Sequence, residues 1–140
     1  MAKRQAAKRE AVWMRVKTLS TAEKAAVAER CSRFIADTLK PRFLPEIRPT
    51  KFNYPVDLFG KWRGNKYSFV TRYRSGHPEN IGEEFDSPFT RLDHVEERVS
   101  ETRFDVMWHR HTGQWLLLHR SVPLEEALRL IQSEELLWPL

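Results

Sequence analysis

Only one cysteine, Cys31, occurs in this chain of 140 residues, so no internal disulfide can form and no paired-thiol metal site is available. Long apolar runs are missing too. Runs such as Leu116 to Leu118 are strand-sized, far short of the roughly 18 residues that cross a membrane. The first residues hold no apolar stretch, so no secretory signal is expected. Glycine is scarce, five residues in all, and Gly64 and Gly113 read as isolated turn glycines, not as a phosphate-cradling loop. No His-Glu-x-x-His motif occurs, and Ser68, Ser75, Ser87 and Ser121 lie in no nucleophile elbow. These absences count against a membrane-spanning helix, a disulfide-stapled fold, and enzymes built on a serine elbow, a His-Glu-x-x-His zinc motif or a phosphate loop. They leave one domain, cytoplasmic and without a cofactor, as the expectation.

What is present is aromatic and charged. Five tryptophans are many for this length. The formal net charge is +5, and its distribution is uneven. Residues 1–17 hold six basic side chains and one acid, while the remaining 123 hold 18 of each sign. The body is neutral, and the basicity belongs to an N-terminal arm. Ala7, Ala11 and Met14 recur on one face of that arm, with Val12 and Val16 beside it, which predicts a short basic helix over residues 4–17.

Ser20-Thr21-Ala22-Glu23 is a capping box, and it predicts a helix to about Leu39 that stops before Pro41. Val27, Cys31, Phe34, Ile35 and Leu39 form its apolar stripe. Residues 41–55 contain four prolines and read as an extended connector. Alternation from Val56 to Trp62, the Gly64-Asn65 turn and alternation from Lys66 to Arg74 predict a hairpin. Its second strand sets Tyr67, Phe69, Thr71 and Tyr73 against Lys66, Ser68, Val70, Arg72 and Arg74. A loop follows, with an acidic patch of Glu83, Glu84 and Asp86. A strand over residues 85–95 comes next, in which Pro88 marks an edge, a bulge or a late start. Residues 96–101 read as a charged turn.

The stretch Arg103 to Arg120 reads as a last hairpin. With Thr112-Gly113 as a two-residue loop, Trp108 pairs with Leu117 and Arg110 with Trp115. Phe104, Val106, Trp108, Trp115 and Leu117 then share one face; Met107, Leu116, Leu118, His109 and His111 share the other. Both faces are apolar enough to predict a central hairpin covered on both sides. A helix led by Pro123 closes the chain. The expected fold is α+β: N-terminal helices, an antiparallel sheet of about four to five strands and a C-terminal helix. Residues 1–40 form arm and capped helix; residues 41–140 form sheet and last helix, packed with the preceding helix as one domain.

An Arg-Pro segment before paired strands, the run Ser87-Pro88-Phe89-Thr90-Arg91, Trp108-His109-Arg110, Gln114-Trp115 and a Pro-led C-terminal helix follow one another in a familiar order. This resembles the bacterial domain-of-unknown-function family numbered 3024, over roughly residues 30–140, most specifically from Trp108 to Trp115. The resemblance implies a compact α+β domain of bacterial origin and implies no reaction and no ligand.

Three functional readings remain. A non-enzymatic protein that binds a protein partner, or a second copy of itself, is the first. A nucleic-acid-contacting module is the second. Lys8, Arg9 and Arg15 of the arm with Lys66, Arg72 and Arg74 of the sheet would meet phosphates. The third is a metal-dependent enzyme, since His109 and His111, two apart on a strand, would share a face. Arg110 and Gln114 complete the polar end of that hairpin.

Overall fold

The capping box forms as its spacing requires. Glu23 N–H donates to Ser20 Oγ at 3.1 Å, and Ser20 N–H donates to Glu23 Oε1 at 3.0 Å. In the computed structural model, which describes residues 13–139, this box opens helix α1, Thr21–Phe34. Its stripe of Val27, Cys31, Phe34, Ile35 and Leu39 is buried throughout.

The helix does not stop before Pro41. It widens into a π turn over Ile35–Leu39, where Lys40 N–H reaches back five residues to Ile35, and it resumes as α2, Lys40–Phe43, with Pro41 in the first turn. The missing proline N–H falls where the hydrogen-bond ladder has already been reset, so the break expected at that point is absorbed.

Strands β2 (Asn53–Arg63), β3 (Lys66–Ser75), β4 (Glu84–His94), β6 (Arg103–His109) and β7 (Trp115–Pro123) form one antiparallel sheet in the order β2-β3-β4-β6-β7. Helix α3, Leu124–Ser133, follows β7 directly. Both long helices pack on the same face of the sheet. Their apolar residues join Leu58, Tyr67, Phe69, Leu92, Phe104 and Val106 in a single core. Arg30 of α1 and Glu125 of α3 make a two-bonded ion pair at 2.8 and 2.9 Å, tying the helices side by side. Gly60 of β2 leaves room for the buried Tyr67 ring, into which any Cβ would run. No helix among the described residues is long and apolar enough to cross a membrane.

The basic helix expected over residues 4–17 is not seen where it can be judged. Met14 and Arg15 form a two-residue strand, β1, paired with β5 (Glu97–Arg98), inside the segment expected to be only a charged turn. His94 Nε2 donates to the carbonyl of Val16 at 2.6 Å, and Val16 N–H donates to Glu96 at 2.8 Å. These long-range bonds outweigh a helical preference that is weak at a chain end. The remainder of that expected helix, with Lys8 and Arg9, lies outside the described residues.

The last hairpin carries the largest correction. Its loop has three residues, His111 to Gly113: Arg110 N–H donates to Gln114 and Gly113 N–H to Arg110, with Gly113 at φ +87°. Trp108 therefore pairs with Leu116, Met107 with Leu117 and His109 with Trp115, one residue off the expected register. An irregularity at Leu118 then restores the expected pairing of Val106 with His119. The slip moves Trp115 and Leu117 to the opposite face of the sheet. Nor is the hairpin central, because β7 is an edge strand and only the helix-bearing face is covered among the described residues. Pro88, by contrast, sits where a bulge sets two residues of β4 against one step of β3, one of the three placements its sequence allowed.

Glu23 also pairs with the buried Arg98 at 2.9 Å. The Ser20 backbone bond, and then Arg98, hold its carboxyl below the ordinary value of 4.5. A depressed carboxylate contributes stability that is present above the unfolded pKa and is lost as pH falls through the folded one. Glu23→Gln keeps a capping acceptor but loses the ion pair. It is expected to cost about 1–2 kcal/mol at pH 7, a range that allows for partial exposure, and progressively less toward pH 3. Urea unfolding of both proteins at the two pH values measures this.

Candidate functional site

The uncovered sheet face follows from strand alternation once the register is right. Phe59, Lys61 and Arg63 come from β2, Lys66, Ser68, Val70, Arg72 and Arg74 from β3, and Asp86, Pro88, Arg91 and Asp93 from β4. Met107 and His109 of β6 and Trp115 and Leu117 of β7 complete it. A groove of about 320 Å³ crosses this face between Lys61, Arg63 and Lys66 on one side and Arg91 and Trp115 on the other. Ser68, Val70, Asp86 and Pro88 also line it.

Charge on this face sorts into two groups. Arg72 Nε pairs with Asp86 at 2.9 Å, Arg74 with Glu84 at 2.8 Å and Arg91 Nε with Asp93 at 2.6 Å. The hydrogen bond from Arg72 holds the Asp86 carboxyl below the ordinary carboxylate range, helped by the field of Lys61. Lys61, Arg63 and Lys66 make no ion pair among the described residues. Lysine and arginine side chains outside any ion pair are thus concentrated at the β2–β3 turn end of the face, with Asp86 and Asp93 already engaged by Arg72 and Arg91.

Trp115 is the aromatic that lines the groove, while Phe59 of the same face lies under the Arg72 guanidinium. The Arg91 guanidinium lies 4.5 Å from the Trp115 ring centroid and the His109 ring 4.6 Å from it. Leu117 beside it is 41% exposed. The result is a basic block bordering an apolar one.

The residues expected from the sequence fare unequally. Lys66, Arg72 and Arg74 do share one face, yet both arginines are neutralised. Arg15 pairs with Glu96 at 3.0 Å and lies in β1, away from that sheet. Lys8 and Arg9 are outside the described residues. His109 ends β6 while His111 lies in the turn, so they are not two positions of one strand face. Among the described residues no three His, Cys, Asp or Glu side chains come together as a metal site. His119 instead donates to Glu134 at 2.6 Å on the helix side. Gln114 closes the hairpin loop through its backbone, and Arg110 and His111 line a separate cleft at the turn end. Burial pushes the Cys31 thiol up to about 12, which disarms it as a nucleophile. Sequence reasoning passed over Arg63 and Arg91 and placed Trp115 in the core. The length of the hairpin loop was the signal that would have found Trp115.

This architecture, a five-stranded antiparallel sheet backed on one face by helices from both ends of the chain, defines a two-layer α+β domain. The chain belongs to the family described as a domain of unknown function (DUF3024), whose profile matches residues 19–139. A comparison with curated proteins and another with solved structures each found no match.

Removing the neutralising acids should expose the latent charge of the face. Glu84→Gln with Asp86→Asn is expected to raise the salt needed for elution from immobilised heparin. The rise should exceed that of Glu29→Gln with Asp37→Asn, the same charge change on the first helix. Equal elution of the two double variants would show that the open face contributes nothing to anion binding.

Proposed function

We propose that the protein is a non-enzymatic binding protein whose open sheet face engages an acidic, partly apolar segment of a partner protein. The observation that carries this reading is the juxtaposition of Lys61, Arg63 and Lys66, which make no ion pair among the described residues, with Pro88, Trp115 and Leu117. Such a surface suits an extended chain bearing carboxylates at one end and apolar side chains at the other. The outer edge of β7, unpaired among the described residues, offers backbone groups to an added strand, from another protein or from a second copy. A cytoplasmic setting accords with the single cysteine, Cys31, which is free and buried.

Nucleic acid is the second reading, favoured by the shared face of Lys66, Arg72 and Arg74. It ranks lower because single strands are held largely by base stacking, and Trp115 is already engaged by Arg91 and His109.

Affinity capture from an extract of the source cells, treated with nuclease, separates the two. The wild-type chain is expected to retain a specific protein that Lys61→Glu/Arg63→Glu/Lys66→Glu loses at least about tenfold. Recovery that disappears on nuclease treatment would instead establish the nucleic-acid reading.

A further inference from the structure

A second cavity, of about 610 Å³, opens at the turn end of the sheet, where the β6–β7 loop faces the C-terminal segment. It shares only Pro88 with the open-face groove, and nothing in the protein-binding reading uses it. Its size falls within the range of small-molecule sites, about 300–1,000 Å³.

The walls are apolar and held in place. Pro88 and Phe89 come from the β4 bulge, a device that re-aims side chains out of a regular ladder. Trp108 and Trp138 both line the cavity. The Trp138 ring lies 5.4 Å from that of Phe43 and 4.1 Å from the Arg42 guanidinium, and its Nε1–H donates to the Gln132 carbonyl at 3.2 Å. The buried Thr90 hydroxyl donates to the Leu137 carbonyl at 2.8 Å, fixing the same segment. A site braced in this way needs little ordering when it fills.

The polar groups converge on one requirement. Arg110 lines the cleft, its guanidinium carbon 5.7 Å from the Trp108 ring centroid. Its Nε is buried and has no hydrogen-bond partner among the described residues, and no acid pairs with it there. The terminal guanidinium nitrogens Nη1 and Nη2 make no hydrogen bond among the described residues either and are not buried, so a bound anion is met by these two donors. His109 and His111 flank the arginine, and Ser87 adds a hydroxyl. The acid on the lining, Glu135, is exposed and sits on the C-terminal segment. A guanidinium fork matches a carboxylate in two parallel bonds, and tryptophans lining a cleft accept a flat apolar body.

We propose that this cleft binds a planar organic carboxylate, its ring system among Trp108, Phe89 and Trp138 and its carboxylate on Arg110. The probe is 2-naphthoate, with 2-naphthamide as its uncharged counterpart, titrated while the indole N–H resonances are followed by NMR. Saturable shifts of the Trp108 and Trp138 signals are expected, with a Kd below about 1 mM. The amide and the Arg110→Gln variant should each weaken binding at least about tenfold, and Arg110→Lys, which keeps the charge without the fork, should fall between. Absence of saturable shifts, equal affinity for acid and amide, or undiminished binding by a folded Arg110→Gln protein would each overturn the proposal. Should that variant fail to fold, the ratio of acid to amide affinity on the wild-type protein decides.

Discussion

The arrangement of this domain depends on how β6 turns into β7. A loop of three residues, closed by Gly113 in the left-handed region, sets the pairing of Trp108 with Leu116 and His109 with Trp115. Because side chains alternate with a period of two, one residue more or less in that loop exchanges the two faces of β7. The irregularity at Leu118 then brings His119 back opposite Val106, toward the helices and its partner Glu134. The hairpin thus presents different faces at its two ends. Near the turn it gives Trp115 and Leu117 to the open face. Farther along, Phe104, Val106 and His119 serve the core side.

One-sided burial follows. The helices cover the aromatic face of the sheet, and the apolar stripe of α1 is spent entirely on it. The other face is left to charge and to a short apolar row, Phe59, Val70 and Pro88, aligned across three strands. Ion pairs neutralise the middle of that face and leave the β2–β3 turn end positive. A formally neutral body therefore carries a polarised surface, and the net charge of the chain does not report it.

Much of this was legible in the residues. The capping box, the stripe from Val27 to Leu39 and the alternation along Lys66 to Arg74 are local patterns, and each formed as read. What escaped was set by longer-range terms. Pro41 stays helical because a π turn precedes it. The segment around Met14 is drawn into a ladder by Glu96 and His94, some eighty positions away. The hairpin register turned on the choice between a two- and a three-residue loop, both compatible with a Thr-Gly pair. That choice decides the candidate site, since it separates a buried Trp115 from one that adjoins Arg91 and the basic block. The ion pairs of Arg72 and Arg74 required strand neighbours that the sequence did not name.

The register of the last hairpin is thus the central claim, and cross-strand NOEs measure it directly. Contacts linking Met107 with Leu117 and His109 with Trp115 are expected. Contacts linking Trp108 with Leu117 and Arg110 with Trp115 would contradict it, return Trp115 to the core and remove the apolar half of the proposed binding face.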